Sequence, residues 1–121
     1  MIRFIHCIKS GAGVTSEAFR KFWQGPELNQ LLSEFTVQAG ACRISKNLTL
    51  DVSANNQLRE DRGSEEPYDA ILEIWFDNAA SLMQITEMHD VQQLFKRMEK
   101  LQAAYIDFHT SKRFFTEWNE D

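Results

Sequence analysis

The sequence is short of basic charge. Thirteen Lys and Arg face 18 Asp and Glu, a formal net charge of −5 over 121 residues. A broad electrostatic attraction to nucleic acid or to an anionic membrane is therefore not expected. The one basic cluster, Lys96, Arg97 and Lys100, is interrupted by Glu99 and reads as a solvated helix face. There are only two cysteines, Cys7 and Cys42, too far apart for a CxxC or metal spacing. They read as two buried thiols in a reducing compartment. Of the three histidines, none pairs with carboxylates at ligand spacing, so no metal is expected. No apolar run approaches the roughly 20 residues of a membrane-spanning helix. Polar Arg3, His6 and Lys9 break up the N-terminus, which lacks signal-peptide form, and a cytoplasmic location is the expectation.

What is present suits one globular domain, with 43% hydrophobic and 26% charged residues. The longest strand-like stretch is Tyr68 to Asp77, Y-D-A-I-L-E-I-W-F-D, bounded by Pro67 and Asn78. It is placed at the centre of a sheet. Met1 to Lys9 reads as a first strand ending at the Ser10–Gly13 turn. Alternation puts Ile2, Phe4, His6 and Ile8 on one face and Arg3, Ile5, Cys7 and Lys9 on the other. Thr15 or Ser16 caps a helix carrying Phe19, Phe22 and Trp23, with a kink or break at Gly25-Pro26. Leu28, Leu31, Leu32 and Phe35 continue the apolar stripe towards Gly40. Ala41 to Asp51 reads as a second strand in which Lys46 is out of pattern.

Residues 53–67 hold little to bury and are expected to be an exposed, flexible loop or a lid over a site. Asn78 caps a helix over Ala79 to Glu87. Asp90 caps a second, with Val91, Leu94, Phe95, Met98 and Leu101 along one face. His109 to Trp118 closes the chain as a last strand. The fold class is α+β: a ferredoxin-like βαββαβ order, with an antiparallel sheet and two helices on one face. The strands are apolar on both sides, so the opposite sheet face needs a cover. A homodimer through that face supplies it.

Three stretches carry a resemblance that spans nearly the whole chain. They are M-I-R-F-I-H-C-I-K-S running on to T-S-E-A-F-R-K-F-W, then P-Y-D-A-I-L-E-I-W-F-D-N, and finally Y-I-D-F-H-T-S-K-R-F-F-T-E-W. In order and spacing the sequence resembles the EthD-like family of dimeric α+β barrel proteins. The family typically places a histidine before a proline after the first helix's aromatic pair. This chain has Q-G-P-E-L there, leaving Gln24 or Glu27 as partial replacements. The resemblance implies a small cofactor-independent enzyme of oxygenase-associated, decarboxylase or cyclase type. Such an enzyme would act on a hydrophobic aromatic compound in catabolism or secondary metabolism. The alternative is a non-catalytic dimeric protein that binds a small ligand or serves as an accessory. No cofactor is expected.

Three residues are candidates for chemistry. His6, on an internal strand, is either a general base or ligand contact, or a buried histidine satisfied by a neighbour. Glu73 is either an acid with a raised pKa or the partner of Arg3 or Lys9. Tyr68 is a candidate hydrogen-bond donor. Phe19, Trp23, Trp75 and Tyr105 are candidate ligand-binding walls, or else aromatic core and interface packing. His89 and His109 read as surface residues.

Overall fold

A computed structural model of the chain describes residues 1–119. Four strands form one antiparallel sheet: β1 (Ile2–Ile8), β2 (Arg43–Leu48), β3 (Ala70–Phe76) and β4 (Lys112–Glu117), in the spatial order β2-β3-β1-β4. Sequential strands separated by helical crossovers, with β1 and β3 at the centre, make the ferredoxin-like topology. The long apolar run lies on β3, as its composition requires, with the remaining strands flanking it.

Five helices accompany the sheet: α1 (Ser16–Gln24), α2 (Pro26–Ala39), α3 (Ser53–Arg62), α4 (Ala79–Glu87) and α5 (His89–Ala103). The Thr15 hydroxyl accepts from the Ala18 N–H, and the Asn78 side chain accepts from the Ser81 N–H; these are the caps of α1 and α4. The first arm divides at Gly25 and the second at Met88, close to the two breaks expected at Gly25-Pro26 and His89-Asp90. At Gly25 a Cβ would lie 2.7 Å from the Lys21 carbonyl oxygen, so only glycine permits the turn from α1 into α2. Lys46, the residue out of pattern on β2, explains itself here. Its ammonium donates to the Trp23 carbonyl at 2.7 Å and to Asn29 Oδ1 at 2.6 Å, tying the end of α1 to the sheet.

Besides the shorter ends of β1, β2 and β3, three boundaries differ from the sequence reading. Residues 53–67 are not a featureless loop: ten of them form α3, which ends at Gly63 in the left-handed region (φ 60°). The burial argument was nonetheless sound, because α3 buries none of its side chains. It is held at its ends, where Asn55 donates to the Leu50 carbonyl and Arg59 meets Glu66 at 3.0 Å. The helix after the second break starts at His89, one residue beyond an extended Met88. Asp90 therefore sits in the first turn, favoured by the dipole, and does not cap. Strand β4 starts at Lys112 because an Asp107 turn intervenes: its carboxylate accepts from the His109 N–H and its carbonyl from the Ser111 N–H, each at 3.0 Å.

The register sorts the sheet into two faces. Phe4, His6, Ile8, Leu72, Ile74 and Phe76 point towards the helices, where they meet Phe19, Phe22, Leu28, Leu31, Leu32 and Phe35 in one core. Helices α2 and α5 close over it, joined by Phe35 against Phe95 (5.4 Å) and by Glu34 to Arg97 (2.7 Å). Burial sets the scale of what single residues contribute. Leu28 is 1% exposed and Val37 on the same helix is 83% exposed. Leu28→Ala is expected to lower stability by about 2–5 kcal/mol, and Val37→Ala by less than about 0.5 kcal/mol, in urea unfolding.

Candidate functional site

Helix α4 buries no residue fully; Leu82 and Ile85 only half-cover the sheet. Beneath that loose cover lies a cavity of about 460 Å³ between the sheet and the α4–α5 arm. Its walls are mainly apolar: Phe4, Leu72, Ile74 and Phe115 from the sheet, and Leu32, Phe35, Phe95 and Met98 from the helices. The size falls within the roughly 300–1,000 Å³ of small-molecule sites.

Two polar side chains are built into this apolar space. His6 is 3% exposed and Gln102 is 7% exposed, and both line the cavity. Among the described residues, neither the His6 ring nitrogens nor the Gln102 side-chain amide hydrogen-bonds to another group. The polar atoms of both still reach the open space of the cavity, since Arg3 Nε is the one side-chain N or O among the described residues that is wholly buried without a partner. Burial lowers the His6 pKa to about 4, with the positive charge of Arg113 as the second cause. The ring is therefore neutral at pH 7, offering one N–H donor and one acceptor. Arg113 stands directly across the β1–β4 ladder from His6 and joins the lining, as does Glu99 from α5.

The other candidates lie elsewhere, because alternation along a strand sends neighbours to opposite faces. Glu73 and Trp75 are on the outer face of the sheet. Glu73 is paired with Arg3 at 3.8 Å, the structural alternative among its two readings. Trp75 lies under Arg3 and Arg43, whose guanidinium carbons are 5.7 and 4.8 Å from its ring centre. Its place as a wall of the His6 cavity is thereby corrected. Phe19 and Trp23 stack on each other at 6.1 Å, and Tyr105 stacks on Phe22 at 4.5 Å, one aromatic layer of the core. Tyr68 lines a second, polar cavity of about 340 Å³ with Phe19, Asp69, Arg20 and Arg59, between α1 and α3. His6, Tyr68 and Glu73 thus do not converge on one site. Gln24 and Glu27 are exposed and line neither cavity.

The thiols also differ from expectation. Cys7 is half-buried on the outer face and Cys42 is exposed, donating to Asp77 Oδ1 at 2.9 Å. Burial pushes the Cys7 thiol up, and the bond to Asp77 does the same for Cys42, so both stay protonated. No group of three or more His, Cys, Asp or Glu side chains suited to a metal occurs among the described residues, nor does a helix long and apolar enough to cross a membrane.

The cavity's polar residues that sequence reasoning passed over are Thr86, Glu99, Gln102 and Arg113. Gln102 continues the α5 stripe of Val91, Leu94 and Met98 by one more turn, a signal the spacing carried. Arg113 required the β1–β4 register, which no local pattern supplies.

Comparison with known proteins agrees with this architecture. The sequence profile of the EthD domain matches residues 11–109. An ethyl tert-butyl ether D (EthD) family protein from Bacillus halodurans superposes with a TM-score of 0.63 at 13% identity, covering 98% of this chain and 99% of that one. A dimeric protein of unknown function with a ferredoxin-like fold from Bacteroides fragilis gives 0.62 at 12% identity, with 97% and 95% covered. A protein from Arabidopsis thaliana gives 0.60 at 8% identity, with 100% and 98% covered. No curated protein matches the chain.

The buried imidazole makes stability depend on pH. The folded-state pKa of about 4 lies below the ordinary 6.5, so the unfolded chain binds the extra proton between those values. His6's contribution is complete above about pH 6.5 and is lost as pH falls towards 4. The loss is on the order of 2 kcal/mol. Urea unfolding at pH 7 and pH 4.5 is expected to show a smaller difference for His6→Gln than for the wild type.

Proposed function

The chain belongs to the EthD domain family, and on that premise we propose that it is a homodimeric protein that binds a small hydrophobic ligand between its sheet and its helices. The observation that carries this reading is the pair of polar side chains, His6 and Gln102, that face one mainly apolar cavity without a protein hydrogen-bond partner among the described residues. Apolar walls with a few polar groups are the usual composition of a ligand pocket. The dimer rests on the outer sheet face. It displays exposed Phe114 and half-buried Ile71 around Ile5 and Trp75, which are already covered, beside Arg3, whose Nε is buried without a partner. The dimeric description of the Bacteroides fragilis protein supports the same assembly here.

Binding without chemistry is favoured over catalysis by the separation of His6 from Tyr68 and Glu73, which leaves Glu99 on the α5 wall as the one carboxylate of the lining. The free, neutral His6 ring supports a second reading, a cofactor-independent enzyme in which it takes a proton from a bound hydrophobic aromatic substrate. A base with a pKa near 4 is weak at pH 7, so this reading needs a substrate whose proton is already acidic.

The neutral probe N-phenyl-1-naphthylamine tests the cavity. It is expected to fluoresce on binding wild type, and Thr86→Trp, which places an indole in the lining, is expected to weaken binding about tenfold, or about 1.4 kcal/mol. Equal binding by both proteins contradicts the site. Sedimentation is expected to show a dimer at micromolar concentration and a monomer for Ile71→Lys; a wild-type monomer contradicts the assembly.

A further inference from the structure

We infer that the ligand of the sheet–helix cavity is an amphipathic monoanion: a flat apolar carboxylic acid whose carboxylate lies on Arg113 and whose neighbouring oxygen is hydrogen-bonded by His6 and Gln102. This rests on the proposed reading of the cavity as a ligand site and adds the chemical class of the occupant.

Three observations combine. The first is the arrangement of the polar groups on the sheet side. His6 and Arg113 are register partners on adjacent strands and point to the same face, so an imidazole and a guanidinium stand side by side in a mainly apolar space. The second is that Arg113 is unclaimed. Among the described residues Arg3, Arg59 and Arg97 each meet a carboxylate; Arg20, Arg43, Arg62 and Arg113 meet none, and of these Arg113 alone lines the cavity. Glu99, the other charged residue of the lining, is on the α5 wall and forms no ion pair with it. The guanidinium fork is therefore open to a bidentate carboxylate.

The third observation is the pair of buried groups. His6 and Gln102 together offer donors and acceptors with no protein partner among the described residues, open to the cavity where a ligand oxygen meets them. The remaining lining accommodates a ring system. Phe4, Phe35, Phe95 and Phe115 supply four aromatic faces or edges around the space. A neutral hydrocarbon would use those walls and leave all three polar groups unmet. A doubly charged anion would face Glu99 across the cavity. One negative charge on an apolar body meets both constraints.

Calorimetric titration with 2-naphthoic acid and its neutral analogue 2-naphthamide tests the inference, with N-phenyl-1-naphthylamine as the control for the cavity itself. Wild type is expected to bind the acid at least about tenfold more tightly than the amide. Arg113 is exposed on an edge strand, so Arg113→Gln keeps the fold, retains the amide's affinity and erases the preference. Arg113→Lys keeps part of it. Equal binding of acid and amide by wild type overturns the inference while leaving the cavity reading intact. So does a preference that survives Arg113→Gln. Failure of all three probes to bind overturns the cavity reading, and the inference with it.

Discussion

The antiparallel ladder between β1 and β3 is the constraint on which the rest depends. It pairs Ile5 with Glu73 and His6 with Leu72, and strand alternation then assigns every neighbouring side chain to one face or the other. Slipping β1 by one residue in that register would exchange its faces, carrying Arg3 under the helices and turning His6 outward. The apolar weight of Phe4, Ile8, Leu72, Ile74 and Phe76 against α1, α2 and α5 forbids the exchange. The functional geometry is thus a by-product of core formation. A histidine is held inside because five apolar residues beside it on two strands belong there.

The cavity exists for a second reason, which lies in how the helical layer is broken. Gly25 divides the first arm so that α2 can lie against α5, and Lys46 pins the break to the sheet. The second arm breaks at Met88, and its shorter part, α4, covers the sheet only with half-buried Leu82 and Ile85. A continuous helix there would complete the core. A broken one leaves room above His6. The same division explains why Phe95 is 44% exposed although it lies on the apolar face of α5: it faces the cavity.

Much of the fold was legible in the sequence, and less of the site. The four strands, the two helix breaks and the caps Thr15 and Asn78 all leave local signatures, since each is decided by residues within one turn. Residues 53–67 looked structureless because α3 has no apolar stripe; its ends are held by Asn55 and by the Arg59–Glu66 pair, which composition does not reveal. The site was only partly visible. His6 stood out as a polar residue on an apolar strand. Glu73 and Tyr68 stood out for the same reason, yet one belongs to the outer face and the other to a different cavity, because alternation was known along each strand but convergence between strands was not. Arg113 escaped for the converse reason: it sits on an exposed edge strand, and only pairing with β1 brings it to His6.

The central claim is that ligands enter the space over His6 and not the outer face of the sheet. Nitrogen-15 spectra of protein labelled at histidine side chains and tryptophan indoles, recorded as N-phenyl-1-naphthylamine is added, separate the two most directly. The account predicts that the His6 ring resonances move while the Trp75 indole stays still. Movement of the Trp75 indole with an unchanged His6 would contradict it.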